Sequence, residues 1–179
     1  MSNTHTDLLD TAYLQFSFSV KLFDYLDRKA PFDKDQFDVS LINLEKGNIL
    51  NLPHNQFNKY ADIVDAAANA ISISFGAAAN TLYEAIKEKR KDSLYNKRLE
   101  TEADKIECIV YMIRCCFAQG LATPTWKINQ AFHEVKYNLN NKEIDLSALD
   151  GKIFEAQDIG GYESLFILKD KAKRLGMLN

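Results

Sequence analysis

Residues 96–126 read NKRLETEADKIECIVYMIRCCFAQGLATPTW, and the rest of the chain is organised around them. Apolar residues recur there at intervals of three and four, which places them on one face of a helix. The spacing predicts a helix from about Lys97 to Gln119, which Gly120 ends. Pro124 and the only tryptophan, Trp126, follow in a short turn. The predicted apolar face comprises Ile106, Ile109, Val110, Ile113, Cys116 and Phe117.

The composition is that of one folded domain. Of the 179 residues, 46% are apolar, which is too many for a disordered chain and enough for a core. We therefore expect a single domain over residues 1–179. The net charge of -3 gives no overall field that attracts nucleic acid. Any RNA binding therefore requires a local basic patch.

The sequence predicts a cytoplasmic protein. The N-terminus is polar and lacks the apolar run of a signal peptide. The longest weakly apolar stretch, residues 66–79, is too short and too polar to span a bilayer, so we expect no membrane partner. Three cysteines, two of them adjacent, form no disulfide framework, and we expect reduced thiols.

Three further helices follow from the periodicity. Helical spacing predicts them over residues 7–29, 55–91 and 161–175. In the second, the small side chains of residues 66–79 permit close approach of another helix, either within the chain or in a dimer. The same helix is long for a domain of this size, and we expect a bend near Ser72, Ser74 and Gly76.

Two segments change to the two-residue period of strands. A turn of lysine, glycine and asparagine predicts a β-hairpin within residues 37–52, with a loop packed on the bundle as the alternative. After Pro124 we expect short strands over residues 125–128, 132–139 and 144–146. The predicted fold is therefore mainly α, a helical bundle of about four main helices with one or two small β-hairpins.

The strongest run of positive charge lies at the end of the second long helix. It comprises Lys87, Lys89, Arg90 and Lys91. Such a run is typical of a solvated helix end, where cations complement the helix dipole. The alternative is a contact to RNA.

Aromatic and cysteine side chains offer two further candidates. Trp126 and Phe132 can form a stacking surface for bases, or they can pack a hairpin against the bundle. Cys115 and Cys116 can act as a nucleophile or ligand, but free cysteine is usually buried like a small apolar residue. No paired-cysteine zinc spacing and no phosphate-binding glycine loop occurs, so we expect neither a metal nor a cofactor.

The end of the central helix resembles the motif region of HEPN domains. The matching residues are YMIRCCFAQG at 111–120, followed by PTW at 124–126. The tail is also similar, through IDL at 144–146, LDGK at 149–152 and IGG at 159–161. The resemblance is to a bacterial subgroup of HEPN domains, covers about the C-terminal half, and in the N-terminal half extends only to helical character.

This resemblance implies a helical bundle that forms a homodimer around a shared cleft. Many HEPN domains are metal-independent ribonucleases of toxin–antitoxin, defence and stress systems. Their motif is an arginine followed, after four to six residues, by a histidine. Arg114 matches the arginine, and Gln119 stands where the family has the histidine.

Two departures from the family pattern bear on catalysis. Glutamine cannot exchange a proton usefully, whereas the histidine that it replaces titrates in the right range. Cys115 stands where the family often has asparagine or another polar residue. Arg114 can still hold a phosphate, because its guanidinium is always charged and forks onto phosphate oxygens. The alternative for Arg114 is a salt bridge along its own helix or to the last helix.

Three functional hypotheses follow. The first is a catalytically degenerate HEPN-like module that binds RNA, a nucleotide or a cognate protein. The second is an active ribonuclease in which another group, such as Tyr111 or Glu107, acts with Arg114. The third is a structural helical interaction protein. A basic, concave surface around Arg114 favours the first two, and an acidic or apolar surface favours the third.

Overall fold

The computed structural model describes residues 4–28, 31–43, 49–53, 56–92, 94–96, 98–118, 120 and 123–178. Its helices are α1 (Thr4–Asp27), α2 (Lys34–Phe37), α3 (Tyr60–Arg90), α4 (Glu102–Ala118) and α5 (Ser164–Arg174). Its strands are β1 (Leu41–Asn43), β2 (Ile49–Asn51), β3 (Lys136–Leu139) and β4 (Lys142–Asp145). The prediction of a mainly helical fold with small hairpins is confirmed. Within the described ranges, no helix is both long and apolar enough to cross a membrane.

Two compact units make up the chain. The larger contains residues 1–16 and 72–179, and the smaller contains residues 17–71. The expectation of one domain over residues 1–179 stays a prediction. The division falls at Ile71 and Ser72 inside α3, which is an unbroken helix through Ser74 and Gly76. The predicted bend in this stretch also stays a prediction.

Helices α3, α4 and α5 begin later than the spacing predicts, whereas α1 begins earlier, at Thr4 rather than at residue 7. Helix α4 begins at Glu102 because Thr101 Oγ1 accepts from the Asp104 N–H at 3.1 Å and caps the first turn. Leu99, just before, has a φ of 53°, which is incompatible with a helix that begins at Lys97. Helix α3 begins at Tyr60, and Asn55, the predicted start, lies outside the described residues.

Helix α5 begins at Ser164 rather than at Gly161. Gly160 and Gly161 have φ values of 91° and 105°, which a right-handed helix does not allow. The two glycines instead form the turn that leads into the helix. Tyr13 of α1 donates its hydroxyl to the Leu165 carbonyl at 3.0 Å and so ties α1 to α5 within the larger unit.

Aromatic packing builds the core of the larger unit. Phe75 of α3 is fully buried, and its ring lies 5.5 Å from Phe16, 5.7 Å from Phe117 and 5.4 Å from Phe154, measured between centroids. These contacts join α1, α3, α4 and the segment after β4. The small residues of α3 permit this close packing within the chain: a Cβ built on Gly76 would lie 2.5 Å from Cδ1 of Phe117.

Strands β3 and β4 form an antiparallel hairpin in the larger unit. Asn140 and Asn141 make its turn with φ values of 48° and 65°, as a tight hairpin turn requires. The prediction that β3 begins at Phe132 is wrong. Residues 130–132 form a 3-10 turn, because the Asn129 side chain caps it by accepting from the Ala131 N–H at 2.9 Å.

The strand predicted over residues 125–128 is reduced to a single β-bridge between Thr125 and Ile153. The backbone of Trp126 donates to the Lys152 carbonyl at 2.8 Å and accepts from the Gly151 N–H at 2.9 Å. The segment is therefore extended and paired, but too short to form a strand.

The smaller unit contains the hairpin of β1 and β2, in which Leu41 pairs with Asn51. The predicted turn residues 46–48 lie outside the described part of the chain. Leu26, Ile63 and Ala67 form the core of this unit. Tyr60 donates its hydroxyl to the Leu26 carbonyl at 2.7 Å, which holds the start of α3 against the end of α1.

Candidate functional site

Arg114 lies near the end of α4 and reaches across to α3. Its Nε donates to Oδ1 of Asn80 at 2.9 Å, and its Nη2 lies 3.6 Å from Oε1 of Glu84. Its Cζ lies 5.3 Å from the centre of the Tyr83 ring. The salt bridge expected along α4 or to the last helix is therefore wrong in its partner, because the observed carboxylate belongs to α3. About a third of the Arg114 side chain, 32%, remains exposed.

A cleft of about 220 Å³ opens beside Arg114 between α3 and α4. Its walls are apolar apart from Arg114 and Asn80. The cleft depends on the close approach of the two helices, since the ring of Phe117 lies directly against the backbone of Gly76. Its lining comprises Ile73, Gly76, Ala77, Asn80, Arg114, Phe117 and Ala118.

Gln119, the position of the family's histidine, lies outside the described residues. Ala118 is exposed and ends α4, and Gly120 is half-buried. Of the two motif positions, the structure therefore describes Arg114. The role of Gln119 stays a prediction from the sequence.

Tyr111 lies one turn before Arg114 on α4. Its hydroxyl oxygen is 2.8 Å from that of Tyr95, and its ring centroid is 5.1 Å from that of Tyr83. Burial, together with hydrogen bonds to Tyr95 and Cys115, raises the pKa of Tyr111 well above its usual value. The phenol is therefore protonated near neutral pH and does not act there as a general base.

Glu107, the other candidate proton carrier, is only 1% exposed. Its Oε2 lies 3.2 Å from Nε of Arg90, in a buried ion pair that Asp104 completes at 2.5 Å from Nη2 of Arg90. A substrate in the cleft cannot reach this carboxylate without breaking the pair. Glu107 therefore has a structural role, as the buried partner of Arg90.

The same ion pair corrects the prediction that Arg90 contacts nucleic acid. Its charge is matched by two carboxylates, and four fifths of its side chain is buried. Lys87, Lys89 and Lys91 are exposed, as expected for a solvated helix end. A contact of these three lysines with RNA stays a prediction.

Trp126 is fully buried, so the prediction that it stacks on bases is wrong and the packing alternative is confirmed. Its Nε1 donates to Oδ2 of Asp158 at 2.8 Å, and its ring lies 5.3 Å from that of Phe154. The indole anchors the segment after α4 to the core. Phe132 is also buried, and its ring packs against that of Tyr95, with 5.2 Å between the two centroids.

The three cysteines are free and differ in exposure. Cys108 and Cys116 are fully buried, as the apolar alternative predicts. Burial raises the pKa of the Cys108 thiol to about 12 and the pKa of Cys116 also well above its usual value. Cys115 is half-buried and borders a second cavity, of about 280 Å³, together with Tyr95, Tyr111 and Lys127. Among the described residues, no group of three or more ligand side chains is placed to hold a metal ion.

Sequence reasoning missed the partners of Arg114 on α3. Asn80 and Glu84 are four residues apart and therefore share a helix face with Tyr83 beside them. This four-residue spacing is the sequence signal that could have identified the two partners. It points to Arg114 only when the packing of α3 on α4 is known.

Comparison with protein-family models, with curated proteins and with solved structures found no match.

Proposed function

We propose that the chain is a HEPN-like module whose Arg114 binds one phosphate group of an RNA or nucleotide without cleaving it. The proposal joins the resemblance at residues 111–120 to the geometry of Arg114. The same resemblance suggests a bacterial defence or toxin–antitoxin system. The observation that carries the proposal is the fixed, partly exposed guanidinium at the mouth of a cleft.

The hydrogen bond to Asn80 orients the guanidinium and uses only its Nε. A guanidinium has five N–H donors, and a phosphate needs two of them for a forked contact. Glu84 competes for Nη2, but an exposed ion pair contributes only about 0–1 kcal/mol. An incoming phosphate can therefore displace Glu84, while the hydrogen bond to Asn80 keeps the guanidinium of Arg114 in place.

The walls of the cleft limit what Arg114 can hold. The site is concave, as RNA binding requires, but it carries one cation among apolar side chains. Binding through one phosphate predicts a weak dependence on salt, in which log Kd rises with log salt with a slope of about 0.7. A long duplex, which needs many cationic contacts, does not suit this cleft.

Among the described residues that line the cleft beside Arg114, no side chain is placed to act as a proton carrier. Glutamine replaces the histidine at position 119. The raised pKa of Tyr111 and the burial of Glu107 weigh against both as substitutes. General acid–base catalysis contributes about 10²- to 10⁴-fold in rate, so its loss reduces any cleavage to a trace.

Titration of a labelled single-stranded oligoribonucleotide tests the proposal. Arg114→Ala should abolish binding, Arg114→Lys should weaken it, and Glu84→Gln should strengthen it. Arg28→Ala, which removes an exposed arginine of the smaller unit, is the matched control and should leave binding unchanged. Equal binding by the chain and by Arg114→Ala would refute the proposal.

The resemblance further suggests a homodimer. Ile73, at the rim of the cleft, is an exposed large apolar side chain that a second copy would cover. Light scattering should give twice the mass of one chain, and Ile73→Glu should give the monomer mass. A monomer mass for the unaltered chain at high concentration would refute the dimer.

A second candidate function, the binding of a cognate protein, is favoured by the smaller unit. Five large apolar side chains are exposed around its hairpin: Phe37, Val39, Ile49, Leu50 and Leu52. If this face binds a protein, cross-linking in cells should yield one adduct that Ile49→Glu loses and Arg114→Ala keeps. An adduct that both variants keep would refute this face as the interface.

A further inference from the structure

We propose that the cavity bordered by Tyr95, Tyr111, Cys115 and Lys127 receives the base of the nucleotide whose phosphate Arg114 holds. The inference rests on the proposed function and names its ligand class more closely, as a single-stranded nucleotide with an unpaired base. It assigns a binding role to Tyr95, a residue that the sequence did not single out.

A line of aromatic rings leads from Arg114 to this cavity. The Tyr83 ring lies under Arg114, and the Tyr111 ring follows at 5.1 Å. The Tyr95 ring lies 6.1 Å beyond Tyr111 and packs on Phe132. One helix turn of α4 therefore separates the phosphate-holding group from an aromatic wall of the cavity.

Tyr95 is the member of this line that is available to a ligand. About half of it, 52%, is exposed, although Phe132 supports its ring from within. A supported and exposed ring is suited to stacking, because every base presents a π-face. The three-residue 3-10 turn over Leu94–Asn96 presents it at the surface.

Polar groups border the same cavity. The Tyr95 and Tyr111 hydroxyls bond to each other, and Tyr111 also bonds to Cys115, so these phenols have partners within the protein. Asn129 accepts from the Ala131 N–H through Oδ1, which leaves its NH₂ as a donor. Lys127 adds an exposed ammonium group. Donors beside an aromatic wall match the acceptor-rich edges of bases.

The volume also fits one base. Pockets for drug-sized ligands measure roughly 300–1,000 Å³. The cavity, at about 280 Å³, lies just below that range and suits a base with its sugar. A duplex cannot enter it, because paired bases are stacked inside the helix.

Cys115 provides a reporter at the cavity, because the other two thiols are fully buried. The test is the rate of alkylation of Cys115 by N-ethylmaleimide, with Cys115→Ser as the blank. The rate is measured alone and with a saturating oligouridylate, an abasic oligomer of equal length, or inorganic phosphate. We expect the oligouridylate to slow alkylation at least fivefold and the other two to change it less than twofold.

Variants of Tyr95 give the second readout. Tyr95→Leu should weaken binding of the oligouridylate about tenfold and leave the abasic oligomer unaffected, whereas Tyr95→Phe should keep the affinity. Tyr25→Ala, at a tyrosine with 48% exposure in the smaller unit, is the matched control and should change nothing. Trp126 emission and the urea midpoint verify that each variant is folded.

The outcomes separate the two proposals. If the oligouridylate binds through Arg114 but does not protect Cys115, or if the abasic oligomer protects it equally, the base site is refuted and the phosphate site stands. If neither the oligouridylate nor phosphate binds, both are refuted. Protection by the oligouridylate alone, lost in Tyr95→Leu, supports the base site.

Discussion

The ring of Phe117 occupies the space that a side chain on Gly76 would need. A Cβ at residue 76 would lie 2.5 Å from Cδ1 and 2.6 Å from Cγ of Phe117. Overpacking of this kind costs typically about 1–3 kcal/mol. We therefore predict that Gly76→Ala lowers the free energy of unfolding by that amount, measured by urea denaturation, although alanine has the higher helix propensity.

Gly120→Ala is the control for this prediction. Within the described part of the chain, the nearest atom to a Cβ there is the Thr123 carbonyl oxygen, at 3.9 Å, so the substitution should be tolerated. A Gly76→Ala variant as stable as the unaltered chain would show that the ring of Phe117 does not lie against the backbone of Gly76. Weakened RNA binding in the same variant would link this packing to the cleft beside Arg114.

Arg90 pairs with two buried carboxylates, and its removal should be strongly destabilising. Arg90→Met leaves Glu107 and Asp104 without their shared cation. Removing one partner of a buried ion pair costs about 3–5 kcal/mol. We predict a loss of that size in thermal or urea unfolding, and a negligible loss for Arg28→Met at the exposed pair with Asp24.

Asp104 should make stability depend on acid pH. Burial raises the pKa of Asp104, but hydrogen bonds from Thr101 and Arg90 outweigh it, and the pKa lies below its usual value. Its contribution is therefore fully present above the unfolded pKa of about 4 and is lost as pH falls through the lower folded pKa. Asp104→Asn should be less stable at pH 7, and the difference should shrink below pH 4. A difference that is constant from pH 7 to pH 2.5 would contradict this assignment.

Trp126 should report folding and not ligand binding. Because its indole is buried and donates to Asp158, emission should lie at short wavelength and resist acrylamide quenching. Unfolding should shift it to the red. Saturation with an oligoribonucleotide should leave it unchanged, whereas strong quenching by the nucleotide would restore the stacking role that the sequence suggested.

The fold class could be predicted from the sequence because helical spacing is a local signal. The apolar residues of α4 from Ile106 to Phe117 are buried as their period requires. The predicted boundaries are less accurate, because capping and backbone geometry override periodicity. Thr101 caps α4, which begins at Glu102, and the positive φ of Gly161 keeps this residue out of α5. The alternation predicts a strand at Phe132 because it does not reveal the Asn129 cap that makes a 3-10 turn.

The candidate site was less predictable because it joins two helices. The resemblance singled out Arg114, but its partners Asn80 and Glu84 depend on how α3 packs against α4, which no local pattern specifies. Exposure also could not be read from residue type. Trp126 proved buried and Tyr95 exposed, since the segment around each decides which ring faces solvent.

A metal-free time course of RNA in the presence of the protein decides whether the chain binds RNA without cleaving it. A labelled oligoribonucleotide is incubated with EDTA and the unaltered chain, with Arg114→Ala, or with Gln119→His, and bound and cleaved fractions are measured on the same samples. We predict that the unaltered chain binds the RNA and leaves it intact, that Arg114→Ala neither binds nor cleaves it, and that Gln119→His binds and cleaves it. Cleavage by the unaltered chain that Arg114→Ala abolishes would contradict the account, because another residue would then carry the proton.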